Sequence, residues 1–490
     1  MRARRRALRN GPATARSARP RAARGASRRG SGAGPVAAPA ARPAPDHLFR
    51  RSPATRYPRV SRARGVYIVD ADGKRYLDGC SGAVVCNIGY GVREVIEAIG
   101  RQARQVAFAH STQFISQASL DLSAALAALC PGPMAEDARV YLSSGGSEAV
   151  ESAIKLARQY FLERGEPRRT RIVARWQSYH GSTLGALSAT GNRLRRKPYE
   201  PMLLDFPHIA PVYCYRCPFD LRYPSCLLTC ADDLARTLDM VGPGTVAAFI
   251  AEPVVGATLG VVPPPDGYWQ RIREICDRHG ILLIADEVMT GVGRTGTPFG
   301  LDHWGVVPDI IVVGKGCSAG YTPLGAIIAR GFIHDAIRDG SGAFEHGFTY
   351  SANPLSAATG VAVLRFVRRR RLVERARTLG PALEKILRRL AERHPIIGDV
   401  RGMGLFWGLE FVRDRATREP FEPALKVARR LGTEARQRGL LLYPGTGSVD
   451  GQRGDHVIVA PPLTITGREL ARLGRLLDET LTAVEGSLKT

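Results

Sequence analysis

Between Ala138 and about Val313 the chain returns again and again to short, continuous apolar runs separated by amphipathic stretches. The runs "RVYLS", "RIVAR", "VAAFIAEPVV", "GILLIADEV" and "DIIVVG" are too evenly apolar for strands with one wet face. Strands buried on both faces need helices on both sides. The pattern therefore predicts an α/β fold, a large domain with a mainly parallel sheet sandwiched by helices. After about Ala357 the character changes to a long helix ("LVERARTLGPALEKILRRLAERH"), a strand ("GLFWGLEF"), another helix and a closing helix. That predicts a second, smaller α/β domain. Near the start, "GVYIVDADGKRYLDG" predicts two short strands around an Asp72-Gly73 turn. The expected organisation is a tail over 1–45, an N-terminal segment over 46–115 that joins the small domain, a large domain over 116–356 and the C-terminal small domain over 357–490.

Charge and composition narrow the classes. No apolar run reaches the roughly 18 residues of a membrane helix, so no membrane partner is expected. The net charge of +25 is unevenly spread: twelve arginines and no acid precede Asp46, and taking these from +25 leaves +13. This Arg/Ala/Pro-rich tail cannot bury a core and is expected to be disordered. An organelle transit peptide, a polyanion-binding arm and an overhang of an arginine-biased chain all remain open for it. Arg368–Arg371 reads as a solvated helix face, and no motif with interleaved aromatics supports a nucleic-acid partner. Nine cysteines, and a basic N-terminus without an apolar stretch after it, predict a reducing cytoplasm.

Four of the cysteines form the spacing Cys214-x2-Cys217-x8-Cys226-x3-Cys230, inside a Pro- and Tyr-rich segment of about 211–232 that reads as a surface insertion. Such spacing could fold into a tetrahedral thiolate site; a structural zinc, free thiols and a redox-sensitive pair stay open. A zinc hydrolase is the less favoured reading. The chain has no H-E-x-x-H, and a four-cysteine site leaves no open position for water. No metal ligands are assigned.

Three other stretches carry chemistry. In "RVYLSSGGSEAVESAIKLARQYF" a strand runs into Gly145, Gly146 and Ser147, and a helix follows with Val150, Ala153, Ile154, Ala157 and Phe161 on one face. Glycines let backbone N–H groups approach a ligand, and a helix N-terminus favours an anion. Ser147 also fits a helix cap, and a ligand-free tight turn would look the same. In "GILLIADEVMTGVGRTG", Asp286 and Glu287 end an apolar strand, where a carboxylate needs a cationic partner such as a protonated ring nitrogen, or else serves as a cap or ion pair. In "DIIVVGKGCSAG", Lys315 ends another strand. The chain has seven lysines among 70 basic residues, and Lys315 is the only one between Lys197 and Lys385. A surface cation could be arginine, but an imine-forming amine must be lysine. An anion cradle, a carboxylate for a ring nitrogen and an imine-forming lysine are what pyridoxal 5'-phosphate requires.

With "GGSEAVESAIKLAR", "YHGSTLGALSATG", "AEPV", "ADEVMTGVGRTG", "GKG" with "TPLGA", "HGFTYSANPLSAA" and "VRGMGLFWGLE", the chain resembles the class III (omega-type) aminotransferases of fold type I from about Gly65 to Thr466. The resemblance implies that Lys315 forms the Schiff base and then moves the proton, and that Asp286 pairs with the pyridine nitrogen. It implies further that Val288 and Tyr179 cover the ring faces, with His180 shaping that turn, that Gly145, Gly146 and Ser147 hold the phosphate, and that Glu252 lies near substrate and cofactor. Thr349 matches a threonine that completes the phosphate site of the partner subunit, which implies at least a homodimer. The expected reaction moves an amino group from an amine, omega-amino acid or amino acid donor to a keto acid by a ping-pong route.

Two positions depart from the family. Met289 stands where many relatives have a glutamine, and Ile458 stands where amino-acid-specific relatives often carry a carboxylate-binding arginine. Arg453 in the loop "GTGSVDGQRGDH" is a candidate substitute, and the pocket is expected to be less committed to one α-carboxylate. On the same scaffold an aminomutase, a decarboxylating transaminase and a phospholyase share these motifs.

Overall fold

The computed structural model describes residues 47–488. The chain divides into two compact units, Met1–Tyr57 and Pro58–Thr490. Residues 47–57 of the first carry turns and bends but no helix or strand, and the expectations for 1–45 fall outside the described residues. In chain order the strands of the second unit are β1 (Val60–Arg64), β2 (Tyr67–Asp70), β3 (Arg75–Asp78), β4 (Arg139–Ser143), β5 (Arg171–Arg175), β6 (His208–Ile209), β7 (Val246–Ala251) and β8 (Leu282–Asp286). They continue with β9 (Ile310–Val313), β10 (Gly325–Ala329), β11 (Ile397–Met403), β12 (Phe406–Phe411), β13 (Leu440–Leu441), β14 (Tyr443–Thr446) and β15 (Asp455–Val459).

The centre is a seven-stranded sheet in the order β4-β10-β9-β8-β7-β5-β6. Its pairs from β9 to β6 are parallel, and β10 runs antiparallel to both β4 and β9. The even apolarity of these strands has the expected cause. Ala248 and Ile250 of β7 join one core with Val150, Ala153 and Ala157 of the helix Gly146–Glu163. Their neighbours Phe249 and Ala251 join another, with Trp269, Ile272 and Ile275 of the helix Tyr268–His279. Because side chains alternate across a strand, both faces must be covered, and each buried Ile or Phe contributes roughly 1.5–3 kcal/mol.

A four-stranded antiparallel sheet, β11-β12-β15-β14, follows the helices Pro354–Arg369 and Leu372–Arg393. The remaining sheet, β1-β2-β3-β13, joins the two ends of the unit: Leu77 and Asp78 pair in parallel with Leu440 and Leu441. Lys74 Nζ donates to the Gln437 carbonyl, 363 residues away. Arg294 strengthens this join from within. Fully buried, it donates to Ser81 Oγ and Asn87 Oδ1 on one side and to the Leu405 and Pro461 carbonyls on the other. Arg368–Arg371 are exposed at a helix end. No helix among the described residues is long and apolar enough to cross a membrane.

Candidate active site

The parallel strands release their carboxyl ends at one rim, where ligands of open α/β sheets bind. There β8 ends on Asp286, β9 leads through Gly314 to Lys315, and β7 leads into Glu252. From the same direction β5 leads toward Tyr179 and His180, and β4 opens into Gly145, Gly146 and Ser147.

His180 Nδ1–H donates to Asp286 Oδ2 at 2.7 Å, joining two buried residues 106 positions apart. The other oxygen, Oδ1, accepts the Val288 backbone N–H at 3.1 Å. Asp286 is thus the ion-pairing carboxylate of the Asp-Glu couple. Its neighbour Glu287 is the cap: it accepts from the Gly300 and Leu301 N–H groups at 2.8 and 3.0 Å and from the Thr290 hydroxyl. Burial pushes Glu287 up to about 7 against these bonds. Glu252 accepts the Tyr179 N–H at 3.2 Å, and Arg175 Nη2 stands 3.7 Å from its second oxygen. Burial raises the Glu252 pKa despite the opposing pull of His180 and Arg175.

Lys315 is half-buried and held at φ +39°, a left-handed conformation that costs a non-glycine residue on the order of 1 kcal/mol or more. Burial pushes its amine down to about 8; Asp286 and Glu252 pull it back up, and Arg195 adds to the drop. The amine makes no hydrogen bond or ion pair with another described residue. An uncommitted amine that gives up its proton more readily than an ordinary lysine, near two carboxylates, can serve as a nucleophile and a proton carrier.

The anion cradle is built from close backbone approaches. A Cβ on Gly146 would stand 3.2 Å from Val288 Cγ1, whereas one on Gly145 would meet nothing within 4 Å, so open space faces Gly145. The Ser147 hydroxyl accepts the Ser182 N–H at 3.1 Å and so does not cap its helix; Gly145 takes the N-cap place. Gly181, at φ +151°, leaves only 2.7 Å for a Cβ against Ser147 and Ala186, which locks the YHG turn to the GGS loop. His180 Nε2 and Glu252 Oε2 are buried without a hydrogen-bond partner. A bound group with a cationic ring nitrogen and an anionic tail fits this set of donors, acceptors and open space.

Other expected residues lie apart. Thr349 is exposed and is not hydrogen-bonded to this cluster. Ile458 is buried in a core with Val254, Phe406 and Ala460. Arg453 is exposed, and its Nε donates to Asp450 Oδ2 at 2.8 Å. The four cysteines line one small cavity of about 20 Å³ with Tyr213 and Pro265, and all are free. Among the described residues no group of three or more His, Cys, Asp or Glu could hold a metal ion. Burial pushes the Cys230 thiol up to about 12. The segment is more than a surface insertion: Tyr213 is buried and donates to Glu410 of β12, which Arg216 also reaches at 2.7 Å.

Sequence reasoning missed Arg175 and Arg195. Arg175 had a signal, a charge closing the apolar run "RIVAR". Arg195 had none, being one arginine in "NRLRRK".

The family model of the class-III aminotransferases matches residues 51–481. An uncharacterized aminotransferase of Bacillus subtilis, YodT, is 42% identical over 443 residues, covering 90% of this chain and 99% of the relative. The crystal structure of a thermostable (S)-enantioselective omega-transaminase from Thermomicrobium roseum superposes with a TM-score of 0.82 at 39% identity, over 89% of this chain and 96% of that one. An amine transaminase from an uncultivated Pseudomonas species, solved in its PLP-bound form, gives a TM-score of 0.83 at 39% identity, over 90% and 99%. With this fold-type-I α/β architecture and a match across most of its length, the chain belongs to the class-III aminotransferases and is a pyridoxal-phosphate-dependent aminotransferase.

Proposed function

We propose that this aminotransferase takes its amino group from an amine or omega-amino acid donor and passes it to a keto acid, in two half-reactions that share one site. The observation that carries the reading is Lys315: an amine pushed down to about 8, uncommitted, beside Asp286 and Glu252. Pyridoxal 5'-phosphate, when bound, supplies the carbonyl that takes up the amino group and the ring that holds the electron pair left by the α-proton.

The residues that would hold it are Gly145, Gly146 and Ser147 at the phosphate, Tyr179 and Val288 at the ring faces, and Asp286 at the ring nitrogen. His180 fixes the Asp286 carboxylate by its 2.7 Å bond and keeps it pointed to one side. Glu252 holds the Tyr179 backbone in place at 3.2 Å. Lys315 would hold the cofactor through its Nζ, and the same amine, set free by the donor, would accept the α-proton and hold it for return. An amine donor is supported by the burial of Ile458 and the engagement of Arg453 by Asp450, which leave neither to clamp an α-carboxylate.

We further propose a homodimer in which Thr349 of the partner subunit closes the phosphate site. The exposed Phe108, Phe114, Ile115 and Tyr350 supply apolar surface near that turn, with Phe108 and Tyr350 in edge contact at 5.9 Å. The division into a large domain over 116–356 and a small domain from 46–115 and 357–490 belongs to the same proposal. So does a reducing, cytoplasmic setting, which the nine free cysteines support.

Borohydride treatment of the yellow protein, followed by peptide mass analysis, tests the assignment. The expected result is one reduced cofactor adduct on Lys315. An amine added without a keto acid should yield one equivalent of carbonyl product per site and then stop. A protein that stays colourless with added cofactor, or an adduct on another lysine, overturns the assignment.

A further inference from the structure

The chain replaces the expected carboxylate-binding arginine with a buried Ile458, and Arg453 is exposed and taken by Asp450. Yet keto acids carry a carboxylate, and a cation does stand at the rim. The short helix Arg193–Arg196 follows the YHG turn, and its three arginines are used in three different ways. Arg196 is committed: Nη1 donates to the Leu187, Ser188 and Thr190 carbonyls at 3.1, 2.7 and 2.9 Å. Arg193 lies over Trp176 at 5.7 Å, with its stem against Gly451. Arg195 lies over the Tyr179 ring, its guanidinium carbon 4.3 Å from the ring centroid. Only its backbone N–H is bonded, to Asn192. Its guanidinium makes no hydrogen bond or ion pair with another described residue, and it is half-buried.

Stacking occupies the face of a guanidinium and leaves its N–H edges free, which is the geometry that receives a carboxylate in two parallel bonds. Contact with the ring restrains the guanidinium beforehand, so less freedom is lost on binding. Tyr179 is itself fixed at both ends, its N–H on Glu252 and its hydroxyl 3.0 Å from Ser182 Oγ. Arg195 is also close enough for its charge to act on the Lys315 amine.

We infer that Arg195 is a specificity residue: held over the Tyr179 ring, it receives the carboxylate of the keto-acid acceptor at the mouth of the site. The inference rests on the reading above, in which Tyr179 covers the cofactor beside Lys315. An amine donor has no carboxylate to offer and leaves Arg195 idle; the acceptor engages it. One pocket then serves two unlike partners without a second cation.

The test compares native holoenzyme with Arg195→Met and Arg195→Lys, using 1-phenylethylamine as donor and either pyruvate or butanal as acceptor. Butanal offers a carbonyl without a carboxylate. Arg195→Met should raise KM for pyruvate about 10- to 100-fold while changing butanal and the donor half-reaction by no more than about threefold, the small change that loss of its charge near Lys315 allows; Arg195→Lys should recover part of the loss. Acetate, which cannot react, gives a readout without turnover: its binding, followed by the absorbance of the bound cofactor, should weaken about tenfold or more in Arg195→Met. Equal losses with pyruvate and butanal, or an unchanged pyruvate KM, overturn the inference. So does a looser cofactor in absorbance titrations of the apoenzyme, which would assign the guanidinium to the phosphate. If native holoenzyme transfers nothing from the amine, the donor reading fails, and the acetate titration still decides the role of Arg195.

Discussion

Lys315 and Glu410 are both ionisable residues set among sheets and helices, and their surroundings differ in one respect. Every oxygen of Glu410 is occupied: Oε1 by Arg216 at 2.7 Å, Oε2 by Tyr213 and by Arg401, itself 2.7 Å away. Burial works against its charge, but Arg401, Tyr213 and Arg216 hold its carboxyl below the usual range. The Lys315 amine has no hydrogen-bond or ion-pair partner among the described residues, and at the same rim His180 Nε2 and Glu252 Oε2 are buried without a hydrogen bond. A saturated buried charge makes structure; an unsaturated one is held ready for a ligand. Glu410, which Tyr213 and Arg216 of the cysteine segment engage, belongs to the first kind, and the rim around Asp286 to the second.

The contrast can be broken from either side. The largest effect is expected from Lys315→Ala, which should lower kcat on the order of 10⁴-fold or more while the melting temperature of the apoenzyme stays within about 2 °C. Glu410→Gln should do the reverse. It removes one of the two carboxylates paired with the buried Arg401, leaving Asp399 at 2.7 Å, and should cost about 1–3 kcal/mol in urea unfolding, with kcat per folded molecule nearly unchanged. The sign with pH follows from the lowered carboxyl. The native advantage is full above the unfolded value of about 4.3 and is lost as pH falls through the folded one. An advantage that survives at low pH would show that Glu410 is not acting as a charge.

Asp286→Asn should lower kcat about 10²–10³-fold, and stopped-flow of the two half-reactions would show both slowed. Uptake of pyridoxal 5'-phosphate by the apoenzyme should accelerate with pH around a midpoint of about 8, where Lys315 loses its proton. A midpoint near 10 would mean the amine is not desolvated as described. The smallest change is expected from Cys214→Ser, an exposed thiol whose loss should shift stability by less than about 0.5 kcal/mol. A larger shift would mean that the four thiols hold something together.

Much of this was legible in the chain. Both-face burial of β7 and β8 follows from their unbroken apolar runs, and Lys315 stood out because lysine is rare here. The couple Asp286-Glu287 could not be divided by sequence. What divides it is His180, 106 residues away, and the turn at Gly300 and Leu301. Ser147 was legible as a residue near the anion but not as a partner of Ser182, since loop-to-loop contacts leave no periodic trace. The Tyr213–Glu410 bond spans 197 residues and ties an apparent insertion to the C-terminal sheet. Arg195 was hidden by abundance, because in an arginine-rich chain no single arginine is a signal.

The join made by β3, β13 and Arg294 has a consequence for how the protein comes to exist. On the ribosome β3 is made early, but its partner Leu440–Leu441 and the Pro461 carbonyl emerge only after most of the chain has been synthesised. Until then one edge of β3 is open and the guanidinium of Arg294 lacks the Pro461 acceptor, a state that favours pairing with the wrong neighbour. Nascent chains stopped before residue 440 should therefore hold the central sheet without a working site, and should be the species that chaperones retain.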